Sequence, residues 1–239
     1  MNKIIVKNIK KKFKTTEALK SISIEFKKNS ITGLLGPNGS GKTTLFNIIT
    51  GFLDADEGSI FLDSEDVSSY SLSRRSELGL TYLPQEASIF RDLTVYENIK
   101  CVAELFLTKN KIDEKVEQLI QDFSLEEFQD RKGKFLSGGE RRRTEIARAL
   151  ACEPSFIMMD EPFAGIDPIA IEEVKQTIIK LKKNDIGVII TDHNVREALK
   201  IVDYAHIIYN GSLIREGEPN DIIKDELVKK IYLGKDYQN

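Results

Sequence analysis

Tryptophan is absent from the 239 residues, cysteine occurs twice and proline six times. So few cysteines exclude a disulfide scaffold, and Cys101 and Cys152 stand too far apart for a metal-ligand pair. They read as reduced, buried structural thiols of a cytosolic protein. No apolar run approaches the roughly 18 residues of a membrane-spanning helix. The start, Met1-Asn2-Lys3-Ile4, lacks the apolar stretch of a signal peptide. The chain is therefore expected to stay where it is made and to reach a membrane only through another chain. Neither sign of charge dominates: 35 basic and 38 acidic residues leave a net charge of −3. That gives no general attraction to nucleic acid or anionic lipid. The lysine-rich patch from Lys10 to Lys14 is broken by Phe13 and reads as a solvated turn. Internal repeats and low-complexity linkers are missing too. What remains, 41% hydrophobic and 31% charged, suits a globular domain with a sizeable core. The length fits one large domain, or one carrying an inserted subdomain.

The most informative stretch is Gly36-Pro37-Asn38-Gly39-Ser40-Gly41-Lys42-Thr43. It follows the apolar run Ser30 to Leu35, a buried strand, and opens a helical run to Thr50. A G-x-x-x-x-G-K-[ST] pattern between strand and helix is a phosphate-binding P-loop. Its glycines let successive N–H groups converge on anionic oxygens, and the helix dipole adds its positive end. Lys42 is expected on the β- and γ-phosphates, Thr44 beside them, and the Thr43 hydroxyl on Mg²⁺. The chain should bind a nucleoside triphosphate.

The remaining elements read in chain order. Ile4 to Ile9 and Ser21 to Phe26 alternate as half-buried strands, an antiparallel region ahead of the nucleotide core. Phe13, in a turn between them, offers either a flat face for an adenine ring or simple packing on the sheet. Asp54 to Gly58 reads as a turn, Ser59 to Leu62 and Leu78 to Leu83 as strands, and Pro84-Gln85 as a break. Thr94 to Leu107 and Asp113 to Phe123 show helical spacing through Val95, Ile99, Val102, Leu105 and Phe106, with Thr94 and Glu97 forming a capping box. This predicts an all-helical insertion in an α/β core, at about 85–152 between halves 1–84 and 153–239. Ser137-Gly138-Gly139-Glu140 begins the helical run Arg141 to Leu150. It is either a second anion receiver or an ordinary N-capped helix.

Phe156 to Asp160 is an apolar strand ending in Asp160 and Glu161. At a parallel sheet's C-terminal edge, Asp160 would face Mg²⁺ and Glu161 would orient or deprotonate the attacking water. His193, past the strand Gly187 to Ile190, would meet the γ-phosphate or that water, unless it is structural. His206, within the strand Tyr204 to Ile208, is given no role. Ser212 to Glu216 reads as a last strand and Asn220 to Leu233 as terminal helices. Phe90, Leu93 and Tyr96, with Arg91 among them, are expected to form a docking groove for a partner, or to pack the helical insertion on the core.

Over nearly its full length the chain resembles the ATP-binding cassette family. Gly36 to Thr43 resembles the Walker A motif, Gln85 the Q-loop, Leu136 to Glu140 the signature, Phe156 to Asp160 Walker B, and Glu161 its catalytic glutamate. Gly165-Ile166-Asp167-Pro168 resembles the D-loop and His193 the switch histidine. The resemblance implies a RecA-like core with an antiparallel β subdomain and an inserted α-helical subdomain. It also implies ATP and Mg²⁺ as ligands, the latter held by Thr43, Gln85 and Asp160. Lys42, Gln85, Glu161 and His193 would be catalytic. The implied assembly is a head-to-tail homodimer in which Ser137 and Gly139 meet the partner's ATP, with Gly138, Glu140 and Asp167 also expected on nucleotide. Phe13 replaces the tyrosine often found at the adenine position, and Glu140 a common glutamine. Tyr82 to Arg91, Leu136 to Ala151, Asp160 to Gly165, Thr191 to Glu197 and the tail Ile231 to Tyr237 are similar to ATPase subunits of lipopolysaccharide exporters. Branched-chain amino-acid importer ATPases share part of these features. Two transmembrane permease subunits would then be partners, with the cytoplasmic cassette peripheral on the cytoplasmic face of the inner membrane, and the transported molecule would not touch it. A soluble cassette acting on nucleic acid or ribosomes normally carries two cassettes or long coiled-coil or zinc insertions, and this chain has neither. A regulator without turnover would not need both Glu161 and His193.

Overall fold

The computed structural model describes residues 1–193 and 195–233. Asn194 and the tail segment from Gly234 to Tyr237 lie outside the described residues. The chain opens with β1 (Lys3–Phe13) and β2 (Thr16–Lys27), antiparallel across a two-residue turn that brings Phe13 opposite Thr16. Next come β3 (Ile31–Leu35), α1 (Lys42–Thr50), β4 (Glu57–Leu62), β5 (Glu65–Asp66), α2 (Leu72–Glu77) and β6 (Leu80–Leu83). Three helices follow with no strand between them, α3 (Val95–Phe106), α4 (Ile112–Asp122) and α5 (Gly138–Leu150). The chain then returns through β7 (Phe156–Asp160), α6 (Pro168–Lys183), β8 (Gly187–Asp192), α7 (Val195–Leu199), β9 (Tyr204–Tyr209) and β10 (Ser212–Gly217). It closes with α8 (Pro219–Lys224), α9 (Glu226–Val228) and a π-helical turn at Lys229–Leu233.

These strands make two sheets. One is antiparallel, in the order β2-β1-β4-β5; the other runs β10-β9-β3-β8-β7-β6 and is parallel except for β10. In β7, Phe156 and Met158 join the core shared with α1 and the antiparallel sheet, while Ile157 and Met159 join the core under α6 and α3–α5. Covering on both faces is why this strand is a continuous apolar run rather than an alternating one. The inserted helices have no separate core: Val95, Ile99, Ile146 and Leu150 pack in the same cluster as Ile157 and Ile190.

Several local expectations change. The strand at Ser59 begins at Glu57, so Gly58 lies within β4 rather than in a turn. Elements not expected include β5, α7 and α2. The last is Leu-Ser-Arg-Arg-Ser-Glu, with one apolar residue and hence no period to detect. It is held by Arg75, only 2% exposed, whose Nη1 donates to the carbonyls of Ile48 and Ile49, each at 2.6 Å. Its Nε and Nη2 donate to Tyr70 and Ser68 carbonyls, both at 3.0 Å. The guanidinium thus satisfies the orphan carbonyls, and the negative dipole end, of the helix that follows the P-loop. His206 is buried, edge-on to Phe26 and Tyr204, with Nδ1 3.1 Å from Glu216. Burial holds its pKa below the ordinary value. Cys101 and Cys152 are free thiols, each half-buried rather than fully so.

Candidate active site

A cleft of about 760 Å³ opens between the P-loop and the β1–β2 hairpin. Asn38 to Thr44, Thr16 to Ala18, Lys20, Gln85, Glu161, His193 and the Asn210-Gly211 turn line it. Gly36 and Pro37 sit behind the loop, where their carbonyls accept from Lys42 Nζ at 2.7 and 3.0 Å. Gly36 has φ +152°, and a Cβ there would lie 2.0 Å from the Ile208 carbonyl; at Gly41, with φ +108°, it would lie 2.7 Å from that of Ala18. Only glycine fits at both turns. Burial lowers the Lys42 pKa, against the pull of Glu161, Asp160 and Asp192.

The carboxylates arrive from the C-terminal edge of the parallel sheet, as the sequence places them. Glu161 has φ +46°, a left-handed backbone that turns its side chain out of β7 into the cleft. Gln85 Nε2 donates to Glu161 Oε2 at 2.7 Å, and His193 Nδ1 lies 3.1 Å from the same oxygen. Asp160 stays behind, 5% exposed, accepting from the Thr191 hydroxyl. Burial pushes the Asp160 carboxyl above the usual carboxylate range, and the Thr191 bond pulls against it. The Tyr82 phenol is pushed up to about 12, chiefly by burial and then by the Asp160 charge. Sequence reading passed over Thr191 and Tyr82, since a lone threonine or tyrosine in a buried strand carries no signal of its own.

Phe13 is 46% exposed and belongs to neither apolar core. It lies off the cleft wall, opposite Thr16, which is on it, with Lys11 Nζ 5.7 Å from the ring centre. Packing against the sheet is thereby set aside.

The second group is not brought to this cleft. Ser137 caps α5: its hydroxyl accepts from Glu140 N–H at 3.3 Å while Glu140 accepts from Ser137 N–H at 2.9 Å. The ordinary N-capped reading is thus present, and the capping box occupies two N–H groups that an anion would otherwise use. Gly139 is buried against Ala170, and a Cβ on Gly138 would touch Ile166. The Asp167 carboxylate, expected on nucleotide, accepts from Ile169 and Ala170 N–H at 3.0 Å and caps α6. Phe135 and Ile169, 66% and 78% exposed, belong to the same two segments.

The docking residues divide. Phe90 is 49% exposed, with the Arg148 guanidinium 4.9 Å from its ring centre. Arg91 is exposed, whereas Leu93 is half-buried and its carbonyl accepts from Gly133 N–H. Tyr96 does not join a groove: its hydroxyl donates to Asp113 at 3.0 Å and pins α3 to α4. An apolar groove lies along Phe52, Leu72, Tyr82, Pro84, Leu105 and Phe106, with a volume of about 560 Å³. Leu105 and Phe106, read as part of a helical stripe, face outward here, 78% and 40% exposed. Segment 84–90, between groove and cleft, is held by α5. Glu145 accepts from Ser88 and Ile89 N–H, Arg142 donates to the Pro84 carbonyl, and Arg148 to that of Ser88.

The residues present fit a triphosphate with magnesium. Gly41 at the α1 N-cap supplies no side-chain acceptor and the first turn holds no acid, so orphan N–H groups are left for an outside anion. Ser40 Oγ is buried without a hydrogen-bond partner. Thr43 and Asp160 offer hard oxygen donors. Among the described residues no cluster of three or more His, Cys, Asp or Glu side chains exists, so a metal here would draw most of its shell from phosphate oxygens and water.

Comparison with known proteins agrees with this construction. The model of the family described as ABC transporter matches residues 19–164. The chain belongs to the ABC transporter family. It is an ATP-binding cassette and an ATPase. It is 46% identical, over the whole of both chains, to the lipopolysaccharide export system ATP-binding protein LptB of Haemophilus influenzae. A solved ATP-binding cassette of an ABC transporter in its ADP conformation superposes with a TM-score of 0.87 at 32% identity, over 98% of this chain and 100% of that one. A dimeric bacterial ABC transporter cassette matches with a TM-score of 0.78 at 25% identity, over 90% of this chain and 98% of that one.

Proposed function

We propose that this ABC ATPase powers lipopolysaccharide extraction and export, as the ATPase of an inner-membrane complex with two permease subunits. The observation that carries the reading is the full-length 46% identity to a protein named for that export system. No helix among the described residues is long and apolar enough to cross a membrane, so the permeases would hold the chain at the cytoplasmic face. The groove of Phe52, Leu105 and Phe106 suits a cytoplasmic permease helix laid on its apolar face.

In the proposed cycle Lys42 and the P-loop N–H groups bind the β- and γ-phosphates, and Phe13 stacks on the base. Thr43 and Asp160, with Gln85 nearby, would hold Mg²⁺, which neutralises phosphate charge when bound. Glu161 takes the proton of the attacking water. His193 and Gln85, both on its Oε2, fix the carboxylate's orientation. Ser137 and the first N–H groups of α5 in a second copy receive the γ-phosphate, which is why they stand apart from the cleft in one chain. Loss of that shared phosphate opens the dimer.

Affinity capture of the tagged chain from solubilised inner membranes tests the assignment. It should recover two permeases whose ATP-driven activity releases lipopolysaccharide from proteoliposomes to an acceptor. Recovery of amino-acid importer permeases would overturn it.

A further inference from the structure

We propose that Thr191 is a positioning residue for ATP hydrolysis, holding Asp160 and Glu161 in register through one hydroxyl. The inference rests on the assignment of Glu161 as the base. Thr191 is fully buried on β8, directly opposite Asp160 of β7. Its hydroxyl donates to Asp160 Oδ1 and accepts from Glu161 N–H at 3.2 Å; its carbonyl accepts from the same N–H at 3.0 Å. One residue therefore ties the carboxylate assigned to the metal to the backbone of the one assigned to water.

The tie matters because of the conformation it holds. Glu161 sits at φ +46°, and a non-glycine residue keeps such a backbone only where its surroundings over-determine it. Both acceptors on its N–H come from Thr191. Two residues further on, His193 reaches Glu161 Oε2. The loop from β7 to base to histidine to β8 is thus closed at one end by a side-chain contact and at the other by this hydroxyl. A β-branched side chain in a strand has restricted χ1, which suits a hydroxyl that must donate in one direction and accept in another.

Valine keeps the shape and the backbone acceptor but removes both side-chain bonds. In Mg-ATP hydrolysis by the full chain, Thr191→Val should lower kcat by roughly ten- to a hundredfold, since small misplacements of reacting groups cost that much. KM for ATP should change less than about threefold, because the P-loop contacts are untouched. Thr191→Ser should recover most of the lost kcat, with all three proteins melting at similar temperatures. Wild-type turnover in Thr191→Val would overturn the proposal, as would a serine variant no better than valine or a loss confined to KM. Glu161→Gln belongs in the same assay. If it is inactive while Thr191→Val is normal, only the Thr191 inference fails. If it hydrolyses ATP normally, the base assignment fails and takes the inference with it.

Discussion

Arg75 shows how much of this site depends on a residue that touches no ligand. Two of its four carbonyl contacts, to Ile48 and Ile49, close the C-terminal end of α1, whose N-terminal end is the phosphate cradle; the other two, to Tyr70 and Ser68, hold the segment leading into α2. Arg75→Met should fill most of the space yet strand buried carbonyls, destabilising the chain by on the order of 3 kcal/mol. For a domain of this size that is a fall in Tm of roughly 6–12 °C. A melting curve within a degree of wild type would show those carbonyls satisfied another way. At this scale the sequence was most legible where spacing carries chemistry, as in Gly36 to Thr43, Glu161 and His193. It was least legible where one residue type serves many ends. Asp167 was expected only as a nucleotide contact, and the 3.0 Å bonds from Ile169 and Ala170 N–H add the role of α6 cap. Thr191 and Arg75 had no pattern to announce them, because their partners are up to 31 residues away in sequence.

Among the elements, α5 does the most to join the parts. Its N-terminus is the Ser137 cap, and Arg142, Glu145 and Arg148, three residues apart on one face, grip segment 84–90. In that segment Pro84 lines the groove, Gln85 meets Glu161 and Phe90 packs under the Arg148 guanidinium. The start of α3 was open to a sequence reading because the Thr94–Glu97 capping box marks it, whereas α5 begins at Gly138, three residues before the expected Arg141. The groove was not legible, since helical periodicity reports which residues share a stripe but not whether the stripe is covered. Leu105 illustrates this, being apolar in the pattern and 78% exposed in the fold. Leu105→Asp should leave hydrolysis by the free chain unchanged and abolish co-purification with the permeases. Undiminished recovery in a pull-down would place the permease contact elsewhere.

For the molecule as a whole, the proposed cycle puts the P-loop and the Ser137 turn on one phosphate, which needs an assembly larger than one chain. The P-loop cleft is built by the β1–β2 hairpin, α1 and the parallel sheet's edge, while the Ser137 turn stands on the inserted helices against α6. The antiparallel opening, the α/β core and the helical insertion follow from alternation, apolar runs and helical spacing in that order along the chain. What those patterns do not carry is how the insertion shares its core with the parallel sheet, which depends on contacts such as Val95 and Ile146 in one cluster with Ile157. The most direct measurement is the solution mass of Glu161→Gln by light scattering, with ATP and Mg²⁺ and then without. The account predicts twice the mass of a single chain with nucleotide, reverting to one without it. A chain that stays monomeric with ATP, alone and together with its permeases, would contradict it.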